Sequence, residues 1–213
     1  MATISQGILG GFSGKVGTVI GGFWKGIAYM RSIPASVSQP NTPAQLAQRA
    51  KFAAVVQFLQ PLTAYLRIGF KNQAIKMSAF NAASSDHLEN AISGVYPNFV
   101  IDYSKAMVSR GNLPGALNPD IDATTPSRVD FTWENNAVDG NAKANDKVMA
   151  VVYNALKGQV VTVVGGNTRA SGSQSILLPA SFTGDDVQCF IGFQSATESV
   201  VSNSQFVGEI VVV

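Results

Sequence analysis

The sequence predicts an α+β fold: an N-terminal β-hairpin plus helices, followed by a C-terminal β-sandwich of immunoglobulin or fibronectin-type-III kind. Three observations carry that prediction. β-branched and aromatic residues alternate from Val16 to Arg31 around Gly21-Gly22, and apolar residues recur at three- and four-residue spacing from Phe52 to Leu66. From Ser127 onward, short apolar runs are separated by turn residues. These textures divide the chain into a hairpin-and-helix region, residues 1–118, and a sandwich, residues 119–213.

The first element begins in GGFSGKVGTVIGG, Gly10 to Gly22, which has the look of a phosphate-binding loop. A P-loop needs Gly, four residues, then Gly-Lys-Ser/Thr, so that backbone amides wrap the phosphates and a hydroxyl meets magnesium. Aligned on Gly14-Lys15, the first glycine position holds Leu9 and the hydroxyl position holds Val16. Too little chain precedes Leu9 to supply the buried strand such a loop must follow. The stretch fits a hairpin better, with β-branched and aromatic runs meeting at Gly21-Gly22. Glycine inside a strand gives up side-chain packing and marks places where another backbone comes close. The arm either packs on its own helix, Thr42 to Leu59, or extends a neighbour's sheet. Val16, Val19, Ile20, Phe23 and Trp24 are its candidate apolar anchors, and Lys15, Lys25 and Arg31 its candidate charged contacts.

Pro34 to Pro40 forms a turn-rich break. Asn41-Thr42-Pro43 then opens a helix, with Thr42 as N-cap and Pro43 at the first helical position, where its missing N–H costs nothing. Phe52, Val55, Val56, Leu59, Leu62 and Leu66 make one apolar stripe, and Pro61 should kink or split the helix. A further helix is predicted over Ser78 to Ile92, ended by Gly94. His87, Asp86 and Glu89 on that helix superficially suggest a metal or acid–base cluster. With one histidine in the whole chain and no cysteine nearby, no second soft ligand completes it. Phe99 to Val108 reads as a strand, and Gly111 to Pro126 as a loop-rich connection.

Six strands are predicted beyond it: 128–134, 147–154, 159–164, 175–178, 187–194 and 205–212. Trp133, on an early strand, is the expected core centre. Cys189, the single cysteine, excludes an internal disulfide and reads as a small buried hydrophobe. Asp185 and Asp186 are adjacent on a turn and point apart, so they do not form a carboxylate pair. The sequence assigns no catalytic, metal or cofactor residue, and no enzyme activity.

Composition narrows the classes further. Hydrophobic residues make up 46% of the chain and charged residues 13%, about half the charged share of an average globular domain. The net charge of +2 hides an asymmetry. Residues 1–85 hold eight basic side chains and no acid, while residues 86–213 hold seven basic and thirteen acidic. Such a dipole calls for an acidic partner at the basic end: nucleic acid, an anionic membrane, or another copy's acidic half. The sequence shows no signal peptide and no transmembrane segment.

The blocks GILGGFSGKVGTVIG, WKGI and RSIP, then TPAQLAQRAKFAAVVQFLQPL and IDYSKAMVSRGNLP, with the C-terminal TW and DKVMAVVYN strands, resemble a known family. It is a family of uncharacterised proteins of about this length, found mainly in Bacteroidota and described only as a domain of unknown function. The resemblance covers nearly the whole chain and implies no activity, so no functional residue carries over from it. The leading hairpin followed by an Asn-Thr-Pro-x-Gln helix also resembles small phage and prophage structural proteins. That likeness implies a virion or filament subunit.

Three functional classes follow. The favoured one is a structural subunit that self-assembles as a homo-oligomer or polymer, its basic face meeting an acidic face head to tail. A virion or extracellular assembly suits that reading better than the cytoplasm. The alternative is a nucleic-acid-binding protein, in which aromatics interleaved with the basic residues of 1–85 would stack on single strands. A carbohydrate- or protein-binding sandwich module is the second alternative.

Overall fold

The computed structural model describes residues 2–4, 10–34, 36 and 42–213. Most of the Pro34–Pro40 break, together with Asn41, lies outside the described residues. The chain divides into two compact units, residues 1–46 and 47–213.

The first unit is a four-stranded antiparallel sheet, in sequence order β1 (Thr3–Ile4), β2 (Phe12–Val16), β3 (Val19–Trp24) and β4 (Ile27–Ser32). The expected single hairpin around Gly21-Gly22 is therefore corrected to a meander. Both glycines lie inside β3, and the chain reverses elsewhere. Gly17-Thr18 makes one two-residue turn, with Gly17 at φ +56°. Lys25-Gly26 makes the other, with φ +46° and +81°. Positive φ at both central residues of the Lys25-Gly26 turn, and at the first of the Gly17-Thr18 turn, matches the right-handed twist of the flanking strands.

The helix α1 (Pro43–Leu59) carries the chain into the second unit. Thr42 Oγ1 accepts from Gln45 N at 3.4 Å, as the N-cap reading expects. The helix stops short of Pro61, and α2 (Thr63–Gly69) restarts after it, because proline supplies no N–H and clashes with the preceding turn. Val55, Leu59, Leu62 and Leu66 of the expected stripe are buried, but Phe52 is half exposed and Phe58 takes the core position. Ser78 caps α3 (Ala79–Asn90) by accepting from Asn81 N at 3.1 Å. Ile92 leaves the helix for β5 (Ile92–Val95), which pairs with β6 (Asn98–Ile101).

The remainder is mostly β. A four-stranded antiparallel sheet has the order β10-β9-β12-β13, and a three-stranded one the order β11-β8-β7. Their strands are β7 (Leu117–Asp122), β8 (Arg128–Glu134), β9 (Lys147–Asn154), β10 (Gln159–Thr168), β11 (Ser173–Leu177), β12 (Asp186–Gln194) and β13 (Gln205–Val211). All six strands expected after Ser127 are present, and β8 and β9 have the expected ends. β7 was expected to be loop: LNPDID has little β-propensity, and its Pro119 is tolerated because β7 is an edge strand.

Strands β9 and β12 are buried at every residue after their first. Alternation sends Val148, Ala150 and Val152 to a core shared with Val129, Phe131 and Trp133 of β8. The intervening Met149, Val151 and Tyr153, with Phe190 of β12, join Val55, Phe58, Leu59 and Leu66 of the helices. The four-stranded sheet is thus covered on both faces. Phe58 meets Tyr153 edge-on, ring centroids 5.0 Å apart and planes at 87°. Each fully buried side chain of this kind contributes about 1.5–3 kcal/mol. The helical core therefore runs across the 118/119 boundary expected from texture.

Candidate functional site

Among the described residues, six helical stretches and thirteen strands position the ionisable groups, and several of those groups are committed to the fold. Arg169 is fully buried. Its Nε donates to Asp146 at 3.3 Å, its Nη1 to Asn136 at 2.5 Å and to the Gly115 carbonyl, and its Nη2 to the Pro114 carbonyl. The guanidinium lies 3.8 Å over the Phe193 ring, while the Arg169 carbonyl accepts from Trp133 Nε1 at 2.8 Å. This one side chain ties three loops to the core. Sequence reasoning missed it, since an isolated arginine carries no sign of burial.

The His87 cluster is equally structural. His87 is fully buried against Phe58, with Nδ1 donating to the Ala83 carbonyl at 2.8 Å. Burial pushes its pKa below the usual value. Asp86 turns to Arg110 and Asn90. Among the described residues, no group of three or more His, Cys, Asp or Glu side chains converges on a point that could hold a metal. Asp185 accepts from Lys157 and Asn154, and Lys157 holds its carboxyl below the usual range. Burial pushes the Cys189 thiol up to about 12, the state of an inert core residue. Gly14-Lys15, the centre of the phosphate-loop pattern, sits within β2, away from any strand-to-helix turn.

The N-terminal sheet is different. Its register pairs Lys15 with Ile20, Ile20 with Arg31, and Trp24 with Ile27. Alternation then sorts the side chains into two faces. One face carries Lys15, Ile20, Trp24, Ile27, Tyr29 and Arg31. The other carries Phe12, Val16, Val19, Phe23, Ala28 and Met30, without a charge. Lys25 stands in the turn between β3 and β4, its ammonium 5.6 Å from the Trp24 ring centroid.

Of the eight residues singled out from the sequence, seven thus lie in the strands of this sheet but on opposite faces, and Lys25 lies in the turn between β3 and β4. Lys15, Ile20, Trp24 and Arg31 share the basic face; Val16, Val19 and Phe23 share the apolar one. Phe12, Ala28 and Met30, and across the sheet Ile27, were missed, while Tyr29 is one of the aromatics that the nucleic-acid reading interleaves with the basic residues. The two-residue alternation through Ile27–Ser32 would have found the β4 members.

The strand glycines serve these faces. A Cβ at Gly21 would stand 2.6 Å from the Phe12 ring, and one at Gly22 would stand 2.8 Å from Tyr29 Oη. Each ring lies across a glycine on its own side, an aromatic covering bare backbone. Gly21 is the single buried residue among those described in 2–34. Phe23, Trp24 and Tyr29 are 52%, 45% and 47% exposed, and Met30 is 72% exposed. A single-layer sheet has no second layer of its own to cover either face.

No helix among the described residues is long and apolar enough to cross a membrane. No curated protein matches the chain. A family model that begins within the glycine-rich arm and ends in β13 does match: over residues 11–208, the chain belongs to a family of unknown function, DUF6266.

Proposed function

We propose that the protein is a non-enzymatic structural subunit that self-assembles, as part of a filament, an appendage or a virion, through its N-terminal sheet. One observation carries the reading. The four strands β1 to β4 form a sheet with large apolar side chains on both faces and, among the described residues, no core within its own unit. Ordering a glycine-rich chain costs about 1–2 kcal/mol per residue in backbone entropy, which a lone sheet cannot recover without a covering surface. A contiguous exposed apolar face of this kind marks an interaction site.

Residues 117–213 are read as a fibronectin-type-III-like module. The support is the division of seven antiparallel strands into three and four, in the orders β11-β8-β7 and β10-β9-β12-β13, around Trp133. On this reading the module is a rigid body and the N-terminal sheet its connector.

A second reading has one observation in its favour. Trp24 and Tyr29 share a face with Lys15 and Arg31, a combination that suits stacking on single-stranded nucleic acid.

Light scattering coupled to size exclusion tests the proposal on the full chain and on a chain lacking residues 1–33. Assembly of the first, with a folded monomer for the second, is the expected result. A full chain that stays monomeric at every concentration overturns the proposal, and so does a truncated chain that assembles as before.

A further inference from the structure

The outer face of the three-stranded sheet is acidic. Val129, Phe131 and Trp133 of β8 point into the core, so Arg128, Asp130, Thr132 and Glu134 point out. The register sets Asp120 of β7 opposite Thr132 and Asp122 opposite Asp130. This face therefore carries four carboxylates and one guanidinium. Arg128 binds Asp130, with Nη2 at 2.6 Å and Nε at 2.9 Å from the same oxygen. Asp120, Asp122 and Glu134 are exposed and form no ion pair among the described residues. Their hydrogen bonds are local: Asp120 accepts from Ile121 N, Asp122 from Thr124 Oγ1, and Glu134 from Asn118 Nδ2. Leu117 and Leu177, at 40% and 77% exposure, add apolar surface at its margins.

We propose that this acidic sheet face is the docking surface for the basic face of the N-terminal sheet of a second copy, so that subunits join head to tail. The inference rests on the self-assembly reading and names the surface that receives the arm. The two faces are complementary in kind. Both are antiparallel sheet surfaces, which pack face to face about 10 Å apart. Lys15, Lys25 and Arg31 on one side answer Asp120, Asp122 and Glu134 on the other. Ile20, Trp24, Ile27 and Tyr29 supply the apolar area that water must leave. Residues 1–85 contain no acid, so Lys15 and Arg31 meet no carboxylate within the arm's own half. Because donor and receiver are different surfaces, the contact is heterologous and propagates into a ring or an open filament.

The test uses three full-length variants: K15E/K25E/R31E, D120K/D122K/E134K, and the chain carrying all six changes, with circular dichroism to verify folding. Assembly is followed by light scattering at about 0.05 M and about 0.5 M NaCl, since exposed charge pairs are screened beyond about 8 Å at physiological salt. Each triple reversal is expected to raise the concentration for half-assembly about tenfold or more at low salt. The six-fold variant is expected to return it to the wild-type value. An equimolar mixture of the two triple variants should also assemble, each basic surface finding the other chain's acidic one.

If the acidic-face reversal leaves assembly unchanged while deletion of residues 1–33 abolishes it, the arm is an assembly element and this docking surface is wrong. Weakening by both reversals without rescue in the six-fold variant also overturns the pairing. A wild-type chain that is monomeric throughout overturns pairing and self-assembly together. Binding of an oligothymidylate that is lost in K15E/K25E/R31E, with assembly indifferent to D120K/D122K/E134K, overturns the proposal in favour of nucleic acid.

Discussion

The molecule contains two four-stranded antiparallel sheets that present apolar side chains on both faces, and they meet opposite fates. The sheet of β9, β10, β12 and β13 is enclosed, with β8 and its neighbours on one side and the three helices on the other. Among the described residues, the sheet of β1 to β4 has no covering layer in its own unit. Its strands are short, and Gly14, Gly21 and Gly22 take the place of side chains that would hold a core. The comparison teaches that two-sided apolarity in a strand states a need for two covering layers and leaves open where those layers come from. For β9 and β12 they come from the same unit. For β3 and β4 we place at least one of them in another copy.

The sharpest way to break this comparison is to truncate one aromatic in each sheet. Phe190, fully buried between Phe58 and Phe206, is expected to cost about 3–5 kcal/mol on conversion to Ala, measured by denaturant unfolding. Trp24→Ala, on the basic face, is expected to change unfolding of the dilute chain by no more than about 0.5 kcal/mol, yet to weaken assembly. Equal losses in the two variants would mean that the sheets are covered alike.

A fragment experiment sharpens the same contrast. Residues 119–213 alone would expose Met149, Val151, Tyr153 and Phe190, the side chains that meet the helices. That fragment is expected to bind a hydrophobic dye and aggregate, whereas residues 47–213 are expected to give a cooperative, folded monomer. A well-behaved 119–213 fragment would reduce the helices to an optional cover.

The smallest expected effect concerns pH. Burial depresses the His87 pKa in the folded chain, so below about 6.5 the unfolded chain takes up a proton that the folded chain refuses. Stability should fall by up to about 1.4 kcal/mol per pH unit from there, levelling off once the pH has passed the depressed folded value. His87→Leu should remove that segment of the pH profile. An unchanged slope in the variant would assign it to other groups.

Much of this architecture was legible in the sequence, and for identifiable reasons. The ends of β8 and β9 follow from β-branched runs bounded by Ser127, Asn135 and Asp146. The break between α1 and α2 follows from Pro61, and the cap of α1 from Thr42-Pro43. These are local effects, set by backbone sterics and hydrogen bonds within a few residues. β7 escaped because a paired edge strand needs no β-propensity of its own when a long neighbour such as β8 supplies the ladder. Phe58 displaced Phe52 from the core because the stripe admits more than one rotation of the helix, and Tyr103, Tyr153 and Phe190 chose among them.

For the candidate site, the sequence by itself determined the residue types: a glycine-rich, aromatic and basic arm, and a chain whose acids begin only at Asp86. Period-two alternation and turn chemistry are local enough to be read there. Only the tertiary structure decided which residues share a face. It separated Lys15, Trp24 and Arg31 from Val16, Val19 and Phe23, buried Arg169, and gathered Asp120, Asp122, Asp130 and Glu134 onto one outer surface. Strand register decides such groupings, and a slip of one residue would exchange the two faces. Register is fixed by turns and by the cores on either side, and those cores join residues as far apart in the chain as Phe58 and Phe190.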